Sequence, residues 1–289
     1  MNFALLMGKH QQSFNLGRTI TMNRRQFLGK TCLLAGSASL FSYALAQAMT
    51  INEAMNEAIN KSGRQRMLSQ RIAKAYLQIG QAVNIEQSKK ILTYSLTLFE
   101  RQLSELHTIA PTAENRLLLS EIDKVWLNYK QLLSGKTPNQ ADAKSIMVIN
   151  EDMLTMTNNA TLQLEKHAAN PAGKLVNIAG RQRMLSQRMA KFYQAQQWGV
   201  APPDAQAKLD LARREFIAGM QTLGSAPGNT VRMKDELALA QQQWLFFDDA
   251  LRQKGDGKPG QNYAADVATT SERILEVMDG ITSLYQQLG

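Results

Sequence analysis

From about residue 50 onward apolar side chains return every three or four positions, the period of a helix with one buried face. All seven prolines, at Pro111, Pro138, Pro171, Pro202, Pro203, Pro227 and Pro259, fall where that periodicity breaks, as expected if proline is excluded from helix interiors. They cut the chain into eight predicted helices: Thr50 to Gly80, Ile85 to Ile109, Thr112 to Leu133, Pro138 to Ala169, Pro171 to Trp198, Pro203 to Leu223, Thr230 to Lys254 and Gly260 to Leu288. Start signals agree with the cuts. Thr50 and Glu53 have capping-box spacing, Thr137 precedes Pro138, and Asn170 precedes Pro171. Helices of this length joined by short loops predict an all-α protein of two tandem up-down four-helix bundles, divided at the segment HAANPAG. That break is short enough for the fourth and fifth helices to merge into one kinked rod instead.

The two bundles are predicted to be copies. GRQRMLSQR occurs unchanged at Gly63–Arg71 and Gly180–Arg188, inside the longer match INKSGRQRMLSQRIAKAY from Ile59 and VNIAGRQRMLSQRMAKFY from Val176, at a constant spacing of 117 residues. Weaker echoes follow in order: Phe99 with Phe216, Leu106 with Leu223 and, one residue out of step, Trp126 with Trp244. Internal duplication at such a spacing organises the whole chain. The reading gives a leader over 1–48, a first unit over 49–169 and a second over 170–289.

Inside the motif the apolar face of the first helix, formed by Ile51, Ala54, Met55, Ala58, Ile72, Ala73, Tyr76 and Ile79, is interrupted. Ser62, Gln65 and Ser69 fall within its arc and Arg66 stands on its border; the second copy repeats this with Gln182, Arg183 and Ser186, while Ala179 replaces Ser62. Polar groups placed where core belongs need partners, and a guanidinium there needs an anion or several acceptors. Gly63 and Gly180 persist although glycine inside a helix costs about 1 kcal/mol relative to alanine, so something approaches closely at both. Arginine offers a planar fork with two parallel donors, which suits a small oxyanion. If the motif helices pack near a pseudo-twofold axis, Arg66 and Arg183 face one another across such an ion. Salt bridges to neighbouring helices are the other use open to them. Arg64, Arg71 and Lys74 fall on the opposite side, as solvated charges or a partner surface, together with Arg181 and Arg188. Met67 and Met184 read as packing residues.

Composition adds a leader and removes several chemistries. The formal charge of +9 is concentrated in residues 1–48, which carry Lys9, Arg18, Arg24, Arg25 and Lys30 and no acid. Without those five, 28 basic residues face 24 acidic ones, a balance that argues against nucleic-acid binding. NRRQF, the apolar run TCLLAGSASLFSYALA and the small residues ALAQA read as an export signal cleaved near Ala46 or Ala48, with NRRQFLGK resembling a twin-arginine pattern for which Met22 is the more usual start. The apolar run is too short for a comfortable membrane span, so the mature chain is read as periplasmic and not membrane-spanning. The single cysteine, Cys32, lies in the leader, and only His107 and His167 follow it, so neither disulfide chemistry nor a metal site is expected. No nucleophile with a base, paired catalytic carboxylates or cofactor loop stands out, so neither an enzyme nor a cofactor is expected.

At the motif the sequence resembles the PilJ/NarX-like periplasmic sensory domains of type IV pilus chemoreceptors and nitrate sensor kinases, whose first helix carries a P-box of the form N-x-x-G-x-x-R-M-x-S-x-R. Asn60, Gly63, Arg66, Met67, Ser69 and Arg71 match it, as do Asn177, Gly180, Arg183, Met184, Ser186 and Arg188. The wording is closer to the pilus variant. In the nitrate sensors one arginine from each of two subunits holds nitrate, and the resemblance places Arg66 and Arg183 in that role. It implies a sensory protein recognising a small inorganic anion, nitrate or nitrite, at Arg66 and Arg183; the interrupted helix face adds Gly63, Gly180, Ser69, Ser186, Gln65 and Gln182 as candidates around it. A single chain would then imitate the family's dimer. With no HAMP, kinase or methyl-accepting segment after the second unit, its signal is expected to pass through a membrane sensor, receptor or transporter. The alternative is an interaction module whose motif arginines dock a receptor, pilus or envelope protein.

Overall fold

A computed structural model of the chain describes residues 24–133, 135, 137–253 and 262–288, with side chains from residue 52 on. Eight helices follow one another: α1 (Arg24–Gly80), α2 (Ile85–Ile109), α3 (Ala113–Leu133), α4 (Gln140–Ala168), α5 (Pro171–Gln197), α6 (Ala205–Gly224), α7 (Val231–Arg252) and α8 (Tyr263–Gln286). No strand occurs among the described residues. Residues 49–289 form one compact unit, distinct from residues 1–48. The first 23 positions of the expected leader, Met22 included, lie outside the described residues, and so do the side chains of the rest of it.

Most boundaries follow from the local chemistry. Asn170 caps α5, its side chain accepting the Gly173 N–H at 2.6 Å with Pro171 in the first turn, and Ala169, in the left-handed region at φ 49, ends α4. The fourth and fifth helices are therefore two elements and not one rod. Two expected starts are corrected. No helix begins at Thr50: α1 runs through it from Arg24, because the preceding stretch, rich in Ala, Leu and Ser, contains no proline. The fourth helix is capped by Asn139, whose side chain accepts the Asp142 N–H, two residues beyond the expected Thr137.

Within each half the helices alternate in direction. Gln65 donates to the Phe99 carbonyl and Ser88 to Gln78, so α1 and α2 run antiparallel. Trp126 reaches Glu100 and His107 meets Asp123, so α2 and α3 do likewise. Asn115 donates to Gln163 and Asn150 to the Tyr129 hydroxyl between α3 and α4. Each half has the same aromatic group at its centre. Phe99 stacks on Trp126 with ring centroids 4.1 Å apart and Tyr129 stands edge-on at 6.0 Å; Phe216, Trp244 and Phe247 repeat this at 4.5 and 6.1 Å.

The two halves are joined along α1 and α5, which lie parallel and in register. Gly173, near the start of α5, sits against Asn56 and Ile59 in the second half of α1, while Gly80 lies against Trp198 and Gln81 donates to the Gln194 carbonyl near the ends of both helices. Positions 117 residues apart are thus at equal height, as a pseudo-twofold axis along the seam requires. The fourth helix of each half crosses this seam. Ion pairs tie α8 to α1 of the first half and α4 to α5 of the second, so the motif stretches of α1 and α5 are largely buried.

Candidate functional site

The motif residues sit where α1 and α5 meet. Because helical side chains lean towards the N-terminus, each motif arginine reaches back across the seam to an asparagine about two turns earlier on the other helix. Arg66 Nη2 donates to Asn177 Oδ1 at 2.6 Å, and Arg183 Nη2 to Asn60 Oδ1 at 2.7 Å. Each also donates to the backbone carbonyl of the same asparagine, at 3.4 and 3.3 Å. The asparagines are held in turn by the fourth helices, Asn177 by Glu165 and Asn60 by Gln286. Both arginine side chains are 0% exposed.

Gly63 and Gly180 make the room for this. A Cβ on Gly63 would lie 3.1 Å from Arg66 Nη2 and 3.8 Å from Arg183 Nη2, and one on Gly180 would meet the same two groups at 3.2 and 3.7 Å with their order reversed. Two guanidinium groups therefore share one glycine-lined space in the core. In both, Nε is buried and donates to nothing. The Nε–Nη2 edge is the one that grips a planar anion with two parallel bonds, as Arg213 grips Asp248 at 2.5 and 2.8 Å. In the motif arginines half of that edge is open.

Each remaining guanidinium nitrogen meets the fourth helix of a half. Arg66 Nη1 donates to Asn158 Oδ1 at 3.0 Å, and Arg183 Nη1 is ion-paired with Asp279. Burial, followed by the charges of Arg181 and Arg183, lowers Arg66 to about 9. Burial also lowers Arg183, to about 10, where Asp279 offsets part of the effect.

The other residues expected at the site are placed elsewhere. Ser69 and Ser186 donate to the carbonyls of Arg66 and Arg183 in their own helices, at 2.8 and 2.9 Å. Gln65 donates to Phe99 of α2, and Gln182 packs on Gly219 of α6. These four turn into their own bundles, because the arc they occupy is the one that faces α2 or α6 and not the seam. Met67 and Met184 are buried packing residues.

The expectation of a solvated basic face is corrected. Arg71 donates from Nε to both oxygens of Glu272, Lys74 reaches the same carboxylate at 2.5 Å and Ser271 at 3.0 Å, and Lys74 is fully buried. The second copy mirrors this: Arg188 meets Glu151 at 2.7 and 2.8 Å, and Lys191 meets Glu151 at 2.8 Å and Asn150 at 2.6 Å. Arg64 pairs with Asp279 at 2.6 Å, and Arg181, the most exposed of the set, with Glu215 at 2.9 Å. Apart from Arg181, whose ion-pair partner lies on α6 of its own half and whose side chain is 39% exposed, the face that looks solvated in one isolated bundle is covered here by the other half. Burial opposes ionisation of Glu151 and Glu272, but Lys191 and Arg188, or Lys74 and Arg71, outweigh it and hold each carboxyl at about 2. Burial pulls the Lys191 ammonium down to about 7 and Lys74 in the same direction.

A groove flanks the seam on each side. One of about 520 Å³ lies between α1, α2 and α8, lined by Arg64, Met67, Arg71, Tyr94, Glu272 and Asp279 among others. Its counterpart of about 240 Å³ lies between α4, α5 and α6, lined by Asn158, Arg181, Met184, Arg188, Lys208 and Glu215. Asn158 and Asp279 each touch a groove and a buried guanidinium. Among the described residues no three His, Cys, Asp or Glu side chains are grouped to hold a metal.

Sequence reasoning missed Asn158, Asp279, Glu165, Gln286, Glu151 and Glu272 as partners of the motif. The asparagines Asn60 and Asn177 were visible as motif positions, but nothing in their spacing said that they would be exchanged between copies.

No curated protein and no solved structure matches the chain. Residues 48–148 and again 167–270 match the family described as the type IV pili methyl-accepting chemotaxis transducer N-terminal domain, PilJ. Each match contains one copy of the motif, and together they cover more than half of the sequence. The chain belongs to this PilJ family, carries two copies of its domain on one polypeptide, and has a sensory, signalling role.

Proposed function

We propose that the chain is a periplasmic sensory module that holds a small planar oxyanion, nitrate or nitrite, at Arg66 and Arg183 between α1 and α5. One observation carries this reading: two fully buried guanidinium groups share a glycine-lined space, and each keeps a buried Nε without an acceptor. Two like charges in a core repel, and buried donors without acceptors cost free energy. An oxyanion in that space removes both penalties at once.

Signalling follows from the placement. The anion draws α1 and α5 together at the height of Gly63 and Gly180, and α4 and α8, which grip the same arginines, feel the change. Occupancy thereby alters the relation between the two halves, which a membrane-bound partner can read. Export to the periplasm rests on the leader and on the family; among the described residues no helix is long and apolar enough to cross a membrane.

The interaction-module alternative loses support from the geometry. Arg64, Arg71, Arg181 and Arg188 are engaged by Asp279, Glu272, Glu215 and Glu151 of the same chain, so an acidic partner would have to displace them.

Thermal melts with added nitrate, nitrite or chloride test the proposal. An anion at 100 times its dissociation constant adds about 2.7 kcal/mol of stability. Nitrate should raise the melting temperature where chloride does not, and Arg66→Ala combined with Arg183→Ala should remove the effect. Equal melting in nitrate and chloride would end this reading.

A further inference from the structure

Sequence spacing relates α1 to α5 by 117 residues, but the fourth helices correspond at 121. Asn150 and Ser271 take the two buried lysines, Glu151 and Glu272 take the Arg–Lys pairs, and Glu165 and Gln286 hold the seam asparagines. On that register Asn158 stands opposite Asp279, and their contacts agree, since each receives Nη1 of a buried motif arginine. The two positions perform one task with different charges. Both lie in stretches that the family match leaves out, after residue 148 and after residue 270.

The difference falls on the guanidinium groups. Arg183 has a carboxylate against it, which Arg64 also holds at 2.6 Å. Every hydrogen bond of Arg66 goes to an amide oxygen, of Asn158 or Asn177; the charge of Glu165 acts on it from behind Asn177 without a hydrogen bond to the guanidinium. One buried guanidinium is ion-paired directly within the chain, and the other is hydrogen-bonded only to amide oxygens. A buried cation without a counter-ion is a costly state that an anion relieves.

We propose that Asp279 is a built-in anion occupying the Arg183 half of the site, so that the chain takes one monovalent oxyanion, on the Arg66 side, and rejects dianions. This rests on the oxyanion reading and adds its charge class and stoichiometry. A symmetric pair of free guanidinium groups would suit two monoanions or one dianion. With Asp279 present, a second negative charge in the same space meets a carboxylate. Asn158 keeps the Arg66 half open because its amide oxygen accepts a hydrogen bond without supplying charge. Asn158 also lines the groove between α4, α5 and α6, so the residue that holds Arg66 is itself reached from that groove.

Exchange of the two residues tests this in the full chain. Nitrate and sulfate titrations are followed by calorimetry, with melting temperatures recorded in anion-free buffer. Wild-type protein should bind one nitrate and bind sulfate at least tenfold more weakly. Asn158→Asp should set a second built-in anion against Arg66, raising melting in anion-free buffer and removing the nitrate response. Asp279→Asn should melt lower without anion and gain either a second nitrate or a sulfate response. Two nitrates bound to wild-type protein, an Asn158→Asp chain with an unchanged nitrate response, or an Asp279→Asn chain with unchanged anion preference would overturn the assignment. The two readings fail separately. A wild-type response to nitrate that survives Asn158→Asp sinks the built-in anion and spares the oxyanion site. A wild-type chain deaf to oxyanions, whose Asp279→Asn variant responds to them, sinks nitrate sensing and supports the built-in anion.

Discussion

Trp198 at the end of α5 lies across Gly80 at the end of α1, so closely that a Cβ on Gly80 would fall 2.1 Å from the ring carbon Cη2 and 2.4 Å from Cζ2. Trp198 stands at the height of Gln81, which crosses the seam in the other direction to the Gln194 carbonyl at 3.1 Å. Duplicated positions have diverged here, one into a large ring and one into an amide, and Gly80 is small to admit the ring. Gly80→Ala should therefore destabilise the protein by about 1–3 kcal/mol, the usual cost of overpacking, despite alanine's better helix propensity. Urea titration measures it. The double variant Gly80→Ala with Trp198→Leu should lose less than the sum of the single changes, as a direct contact requires. Additive losses would place the strain elsewhere.

Acid should loosen the contact between halves. Glu151 and Glu272 are held at about 2, below the ordinary carboxylate value of 4.5, by the lysine and arginine that each receives. A carboxyl whose folded value is depressed contributes stability that is complete above the unfolded value and is lost as pH falls towards the folded one. Urea midpoints should therefore decline between about pH 5 and pH 2. Glu272→Gln should cost on the order of 2 kcal/mol at pH 7, less than a fully buried pair because the carboxylate is 24% exposed. Its cost should fade as pH approaches 2. Lys191 acts in another window: with its folded value lowered to about 7 from 10.5, the unfolded chain holds the extra proton, so stability rises with pH across that interval. Lys191→Met should flatten that rise.

The helices were legible because proline and asparagine punctuate them locally, and α2 begins and ends where its periodicity does. The start of α1 was not, since Thr50 and Glu53 carry a cap's spacing inside a stretch that nothing obliges to stop. For the candidate site, the duplication singled out Arg66 and Arg183, which the structure buries side by side, and the glycine cost pointed to the close approach found at Gly63 and Gly180. Ser69 and Gln65 misled because a helical wheel shows which residues share a face but not which neighbour that face meets. Lys74 misled for the complementary reason: α1 is central, and the side that its own bundle leaves bare is covered by α8. Asp279 was hidden because α4 and α8 keep a different spacing from the motif helices, so one offset cannot align both.

The two aromatic groups should differ in weight although their geometry matches. Trp126 is buried between Phe99 and Tyr129 and its Nε1 reaches Glu100 at 3.3 Å; Trp244 is only partly buried beside Phe216 and Phe247. Trp126→Ala should cost about 3–5 kcal/mol, in the range for a buried aromatic, and Trp244→Ala less. Equal losses in chemical denaturation would show that the stacking itself, common to both, sets the cost.

Stability and anion binding should separate at Gly63 and Gly180. A Cβ at either position meets the far end of an arginine at 3.1 or 3.2 Å, tighter than ordinary contact but against a flexible group. The arginine can yield by a few tenths of an ångström, and alanine returns about 1 kcal/mol of helix propensity, so Gly63→Ala should melt close to wild type. The displaced guanidinium, however, no longer presents its Nε–Nη2 edge to the shared space. Nitrate affinity in Gly63→Ala should fall by about tenfold, equivalent to 1.4 kcal/mol, and further in the double variant with Gly180→Ala. Isothermal titration beside thermal melts distinguishes the outcomes. Intact binding would mean that the glycines serve only the packing of α1 on α5, and in that case the melting temperature, not the affinity, should drop.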